Sequence, residues 1–480
     1  MTGRRFSLSA TLACAALCVS ACTVGPNYVK PESPTPPAYV EATDTARTAI
    51  QPADADLSRW WTQIPDSTLQ GLIQRALQNN LDLRTAASRV RQARQEEVIA
   101  GAKAYPSLSA TASAVTLNSN APAPPPGATP TSPIPRYLNL YAVGFDASWE
   151  VDLFGGVRRS VEEARANTEA YRWERRDAEV TLTAEVANDY LTLRAVQARI
   201  EVGEGELARQ QDLFGLIGAR RKAGFVTNLD VNQQSTAVAT AAAQIPQLRS
   251  QAKSEIHALG VLLGETPEAL ESELATAPAV LPPPPPTLPT GLPSELLTRR
   301  PDIREAERKL AASNAEIGVQ TANFYPQLDF TGLGAFASMT PGSLFTAQHL
   351  ASIGLAQVSQ PIFEGGRLRA SVRVAREKNV QATNAYRGAV LGALRDVEDA
   401  LARFKADEDR RRSLAQAVTA ATASRQIAQD QYGAGLVTFV NVLQSEYAVL
   451  SAEDQLTQAD GQSLTDVVAL YKALGGGWSS

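Results

Sequence analysis

The chain has 480 residues, 44% of them hydrophobic and 20% charged, with a formal net charge of −5 at pH 7. A mildly acidic chain without a basic cluster argues against nucleic acid as a partner. Its two histidines, His257 and His349, have no cysteine or paired carboxylates at ligand spacing beside them, and the sequence lacks Walker, HExxH and GxSxG motifs. We therefore predict a protein that is not an enzyme and that binds no metal or other cofactor.

The N-terminus predicts export. Residues 1–21 have the layout of a signal peptide, with two arginines before an apolar run too short to span a bilayer. The residues VSA then lead to Cys22, as in a bacterial lipobox, so we predict that Cys22 becomes the first mature residue and carries a covalent lipid. An ordinary signal peptide with an incidental cysteine is the alternative. Thr23, in place of aspartate, argues against retention in the inner membrane.

The sequence of the mature chain contains an internal duplication. YPSL at 105–108 returns as YPQL at 325–328, and AGFVT at 223–227 returns as AGLVT at 434–438. A repeat unit of this size is too long for a solenoid and indicates a duplicated structural unit. The predicted segments are a lipid-anchored N-terminal segment (22–65), a first repeat (66–280), a Pro-rich connector (281–291) and a second repeat (292–480).

Each repeat is predicted to contain a long helix, at about 156–222 and about 366–433. The first segment has no proline and is rich in helix-favouring residues, and at 1.5 Å per residue it is about 100 Å long. Two apolar stripes indicate packing on both sides, as for a stave in a cylinder. A long two-stranded coiled coil, which normally has one seam, is the alternative. The stripes contain Leu182, Val186, Tyr190 and Leu193, and Val180, Ala184, Ala187, Leu191 and Ala195.

Two strands precede each long helix, within about 105–153 and about 325–363. Residues 141–150 alternate between large or apolar and small or polar side chains, which is typical of a strand facing lipid on one side. The mature chain has no apolar run of 18 residues, so a membrane-crossing portion would have to be a closed β-barrel. Four strands cannot close one, because the smallest have about eight. Two copies would supply eight strands and three would supply twelve.

Several motifs together resemble the TolC-type outer-membrane factors, and most closely their lipoprotein branch of NodT- or OprM-like efflux channels. They are GPNYVKPE after the cysteine, the two YP segments, PIFEGGRLRA (361–370), the paired AGxVT turns and the terminal YKALGGGW (471–478). The resemblance implies a mainly α fold with a membrane β-barrel portion, assembled as a homotrimer with twelve strands and a twelve-helix periplasmic tunnel.

The resemblance also implies function. The protein would lie in the outer membrane of a Gram-negative cell and act as the passive channel of a tripartite efflux system. Its partners would be outer-membrane lipid, a periplasmic adaptor protein and an inner-membrane pump of the RND type. Export of proteins as a type I secretion channel is the alternative, and a periplasm-spanning structural coiled coil is a further one.

Two sites follow from the same resemblance. The two turns would bind the adaptor; the alternative is that they are only helix–helix turns, which glycine permits through positive φ. The predicted docking residues are Gly224, Val226, Thr227, Gly435, Val437 and Thr438. The predicted periplasmic aperture consists of Leu229, Asp230, Gln233, Val440, Asn441 and Gln444.

The aperture departs from the family pattern. The resemblance implies an aspartate at the position of Gln444, so glutamine there excludes a charged ring at that position. Asp230 could supply an acidic ring, in which like charges would oppose full ionisation, or could be a solvated residue favoured by the helix dipole. Val440 as an apolar constriction is a third possibility. Arg158, Arg159 and Arg367, beside glycine pairs, are expected to be solvated.

Overall fold

The computed structural model describes residues 23–44, 57–118, 137–275, 281–285, 288 and 291–478. Cys22 and the Pro-rich stretch 121–135 lie outside these residues. The first half contains α1 (Ser67–Asn79), α2 (Leu81–Ala102), β1 (Ser107–Asn118), β2 (Tyr137–Val151), α3 (Gly156–Lys222), α4 (Asn228–Leu262) and the short α5 (Glu271–Leu274). The second contains α6 (Leu296–Arg299), α7 (Pro301–Ala322), β3 (Gln327–Ser338), β4 (Leu350–Ser359), α8 (Arg367–Gly433) and α9 (Phe439–Ala473).

The duplication is visible in the elements themselves. The helices α2 and α7 have 22 residues each, α3 and α8 have 67 each, and α4 and α9 have 35 each. Each half therefore runs helix, two strands, long helix, turn, helix, as the sequence predicts. No helix among the described residues is both long enough and apolar enough to cross a membrane.

The four strands form one antiparallel sheet in the order β1-β2-β3-β4. β2 is longer than the alternation over 141–150 predicts, because its Tyr137 pairs with the last residue of β1 and its Val151 pairs near the start of β3. Trp149 stacks on Phe330, its partner in β3, with ring centroids 6.1 Å apart. The sheet belongs to a compact unit formed by residues up to 31, 91–170 and 307–385.

This first unit corrects the expectation for the arginines. Arg159 is only 3% exposed, and its guanidinium donates hydrogen bonds to the carbonyl oxygens of Val24 and Gly25 and to the Asn27 side chain. Arg158 forms an ion pair with Asp152 over 3.2 Å. The expectation of solvated arginines is therefore wrong for Arg159, because its partners lie more than 130 positions earlier in the chain.

The second unit consists of residues 32–90, 171–306 and 386–480. Both predicted stripes of α3 point into its core: Val186, Tyr190, Leu191 and Leu193 are fully buried. Both apolar stripes are buried because α3 packs against neighbouring elements on two of its faces. The C-terminal motif belongs to the same core, where Tyr471 stacks on Trp60 at 5.1 Å and its hydroxyl donates to the Gln63 side chain at 2.6 Å.

Candidate functional site

The two AGxVT turns join α3 to α4 and α8 to α9, and they have the same backbone geometry. In the first, the Gly224 N–H donates to the Arg221 carbonyl and the Phe225 N–H to the Arg220 carbonyl, both at 3.0 Å. In the second, Gly435 and Leu436 repeat these two bonds. This is the Schellman arrangement, which requires positive φ at the residue after the helix. The glycines supply φ of +81° and +73°.

The residue after each of these glycines is apolar and points into solvent. Phe225 is 81% exposed and Leu436 is 75% exposed. In a Schellman turn this residue usually packs back on the helix that has just ended. Here it does not, so each turn presents a large apolar side chain at its tip.

A small apolar core lies directly behind the tips. Ile217 of α3, Ala237 of α4 and Phe439 of α9 are its buried centre, and the half-buried Val226 packs against it. Tyr432 also packs there, with its ring 5.5 Å from that of Phe439 and the Arg220 guanidinium 5.0 Å from its centroid. Val226 therefore attaches the first turn to this apolar core. Val437, its counterpart, is half-buried as well.

The helices after the turns begin differently. Thr227 forms a capping box with Asp230: the Thr227 hydroxyl accepts from the Asp230 N–H at 3.3 Å, and the Asp230 carboxylate accepts from the Thr227 N–H at 2.8 Å. Thr438, its counterpart, caps no backbone N–H of the described residues, and its hydroxyl lies 3.4 Å from the Asn441 side chain. The Asp230 carboxylate therefore serves the start of α4 in this structure.

The predicted aperture residues occupy the first two turns of α4 and α9. Leu229 is 64% exposed and Val440 is 39% exposed. Asn441 and Gln444 are exposed, and Asp230 and Gln233 are half-buried. These placements leave both apolar side chains free to face a lumen, and the aperture stays a prediction.

A layer of buried polar side chains lies farther from the turns, on the helices α3, α4 and α9. Glu206 and Gln210 of α3, Gln234 of α4 and Glu446 of α9 are each at most 5% exposed. The amide of Gln234 donates to the Gln210 side chain at 2.7 Å, and that of Gln210 donates to Glu206 at 2.6 Å.

Glu446 is held in this layer from the neighbouring helix α8. The Gln429 amide donates to its carboxylate at 2.7 Å, and Arg425 lies 3.9 Å away. Burial, and then the nearby charge of Glu206, raise the pKa of Glu446. An open cavity of about 520 Å³ lies beside it, lined by residues that include Arg209, Leu213 and Leu216.

No described group of three or more His, Cys, Asp or Glu side chains is arranged to hold a metal ion. The candidate site consists of the two tips, the apolar core next to them and the buried polar layer.

A family model described as outer membrane efflux protein matches residues 72–265 and 292–476, one range in each half of the chain. The chain belongs to the outer membrane efflux protein family. Among curated relatives, this efflux protein is 33% identical over 430 residues to the pyoverdine export outer membrane protein OpmQ of Pseudomonas aeruginosa, covering 89% of each chain. It is 32% identical over 472 residues to the toluene efflux pump outer membrane protein TtgC of Pseudomonas putida, covering 98% of this chain and 95% of TtgC.

A solved structure gives the same result for the fold. The outer-membrane channel OprN superimposes with a TM-score of 0.85 at 34% identity, over 95% of this chain and all of OprN. The predicted family, its NodT- or OprM-like branch, the fold class and the outer-membrane location of this efflux protein are thereby confirmed. It is an outer-membrane channel component of an efflux system.

The sequence places Phe225 and Leu436 within the two predicted docking turns, and their exposure is visible only in the structure. Sequence reasoning missed Glu446, because it follows no motif. The roles of the predicted docking and aperture residues stay predictions.

Proposed function

We propose that three copies of the chain form one passive outer-membrane channel, whose paired turns bind a periplasmic adaptor protein. The observation that most supports this proposal is the pair of matched turns. Each turn presents an exposed apolar residue, Phe225 or Leu436, at the end of a 67-residue helix. An exposed apolar side chain on a rigid turn suits contact with a protein partner. We assign the docking surface to these two residues together with Gly224, Thr227, Gly435 and Thr438.

The sheet supports an assembly of more than one copy. Within the described residues β1 and β4 each have a strand partner on one side only. Unpaired backbone groups cost several kcal/mol each in lipid, so neighbouring copies must pair their edges. We propose three copies, giving twelve strands, in keeping with the family resemblance.

The cargo we propose is a small molecule, and the energy for its export comes from an inner-membrane pump of the RND type. The names of OpmQ and TtgC refer to pyoverdine and toluene. Both are small molecules, which supports this class of cargo without selecting a compound. Loss of the gene should increase sensitivity to the exported compounds. Unchanged sensitivity across antibiotics, organic solvents, metals and organic acids would contradict export of a small molecule.

At the aperture we propose that Leu229 and Val440 narrow the lumen as an apolar ring, with Asn441, Gln233 and Gln444 as polar neighbours. The exposure of Leu229 and Val440 on the first turns of α4 and α9 supports this assignment. Asp230 is then a capping residue, because its carboxylate already accepts from the Thr227 N–H.

The docking proposal is tested by cysteine crosslinking in the periplasm. All three native cysteines lie at or before residue 22, so Phe225→Cys and Leu436→Cys each give a single reactive thiol once Cys22 is acylated. We expect both to crosslink to an adaptor protein. Val261→Cys, 61% exposed near the other end of α4, is the matched control and should give no such product. Equal products at all three positions, or none at 225 and 436, would contradict the proposal.

Lipid attachment at Cys22 is proposed from the leader sequence alone. The intact mass of the purified mature chain tests it: an acylated Cys22 adds the mass of its lipid, and a Cys22→Ser chain lacks that addition. A mature chain whose mass shows no lipid would contradict this assignment.

A further inference from the structure

Residues 23–30 form a short segment that side chains from α3 and α7 hold along its length. Arg159 makes the central contacts: its guanidinium donates to the Val24 carbonyl at 3.1 Å, to the Gly25 carbonyl at 3.3 Å and to the Asn27 side chain at 2.8 Å. Glu162, one turn further along α3, pairs with the same guanidinium at 2.7 Å. A buried arginine with four acceptors is a fixed binding group rather than a solvated surface charge.

Residues of α7 bind the rest of the segment. The Asn314 amide donates to the Pro26 carbonyl at 3.0 Å. The Arg308 guanidinium lies 5.5 Å from the centroid of the Tyr28 ring, and Lys30 forms an ion pair with Glu307 at 3.2 Å.

Two glycines fix the register of the segment. A Cβ on Gly25, which has φ of +90°, would lie 2.5 Å from the Gly318 Cα, so only glycine fits there. A Cβ on Gly155 would lie 2.7 Å from the Thr23 side chain. The Val24 N–H also donates to the Phe154 carbonyl at 3.0 Å. A shift of one residue would bring a side chain against Gly318 and move the Asn27 side chain away from Arg159.

We propose that residues 23–30 are a tethered ligand of a sequence-specific binding site on α3 and α7, with Arg159 as the residue that holds it. Positions 24–28 and 30 are each contacted by a side chain or backbone group of the site, whereas Val29 is 81% exposed. Thr23, the first described residue, lies against Gly155, between the end of β2 and the start of α3.

This placement gives Arg159 a positioning role for the lipid. If Cys22 is acylated, as proposed above, its lipid is joined to the chain one residue before the bound segment. The described contacts of the segment involve residues 23–30, so we expect the segment to bind without acylation as well.

The test uses the full chain in detergent with a nitroxide on Val29→Cys, whose spectrum reports whether the segment is bound. We expect an immobilised spectrum in the parent. Arg159→Met should raise the mobile population by at least about tenfold, since a lost charge-assisted hydrogen bond alone is worth about that factor. Arg165→Met is the matched control, because Arg165 lies on the same helix and pairs with Glu97 of α2 at 3.3 Å, and its spectrum should equal the parent's.

Gly25→Ala provides a second variant that alters no helix. It should also release the label while helical content, measured by circular dichroism, stays unchanged. A label that stays immobilised in Gly25→Ala, or in a folded Arg159→Met chain, would overturn the proposal, as would equal release by Arg165→Met. The Cys22→Ser background should give the same spectra. A bound segment on a parent chain whose mass shows no lipid would contradict only the lipid assignment, so the two failures are distinguishable.

Discussion

The carboxyl group of Asp466 on α9 is buried, and its Oδ2 atom has no hydrogen-bond partner among the described residues. It is 3% exposed, and the Gln462 amide donates to its carboxylate at 3.0 Å. Burial, and then the neighbouring Asp407, raise the pKa of Asp466 to about 6, against the opposing charge of Arg403. Between the ordinary value of 3.8 and about 6, the folded chain keeps a proton that the unfolded chain has lost. Stability therefore falls as the pH rises through this window.

Asp466→Asn should remove this loss of folding stability at higher pH. The asparagine oxygen keeps the bond from Gln462, so we expect the thermal midpoint at pH 8 to rise, with a gain on the order of 1 kcal/mol in unfolding free energy. Below about pH 4 the gain should vanish, because aspartate is then protonated in both states. The measurement is a thermal melt of the detergent-solubilised protein at a series of pH values.

Asp454→Asn on the same helix is the control of opposite sign. Asp454 forms an ion pair with Arg199 at 2.7 Å, so its loss should lower the midpoint or leave it unchanged at pH 8. An Asp466→Asn chain with the pH dependence of the parent would show that the buried carboxyl titrates normally.

At the scale of elements, the two copies of the helix–turn–helix unit differ at their second helix. The α4 start has a reciprocal capping box between Thr227 and Asp230, whereas the Thr438 hydroxyl caps no described N–H of α9. Side-chain caps of this kind stabilise a helix start by about 1 kcal/mol. The first turn of α9 depends instead on the buried Phe439.

Thr227→Ala should therefore loosen the first turn of α4 by about 1 kcal/mol, whereas Thr438→Ala should change α9 by only a few tenths of a kcal/mol. Amide hydrogen exchange of residues 228–232 and 439–443, followed by mass spectrometry, measures both effects. Equal loss of protection in the two variants would mean that the observed asymmetry has no energetic consequence.

The elements were predictable because their signals are local. A 67-residue segment without proline, strand alternation over 141–150 and the AGxVT turns can each be recognised within one stretch of sequence. Contacts that join distant segments leave no such local signal. Arg159 reads as an ordinary surface arginine until residues 24–27 are placed on it, and the buried layer of Glu206, Gln234 and Glu446 comes from three separate helices.

For the whole molecule, duplication explains why one chain supplies two long helices, two tips and four strands. Each half repeats the same element order, so the chain carries two similar but unequal halves. In the proposed assembly, neighbouring chains pair the β1 and β4 edges of the sheet. An arrangement of three chains would place six tips, alternating Phe225 with Leu436, around one opening. An adaptor would then meet two related surfaces rather than one.

The most direct test of this account is the mass of the native complex extracted from outer membranes into detergent. Native mass spectrometry should find three chains in one particle that survives mild activation, since the proposed assembly pairs the β1 edge of one copy with the β4 edge of the next. A spectrum dominated by single chains, from material that retains its helical content, would contradict the claim that several copies share one channel.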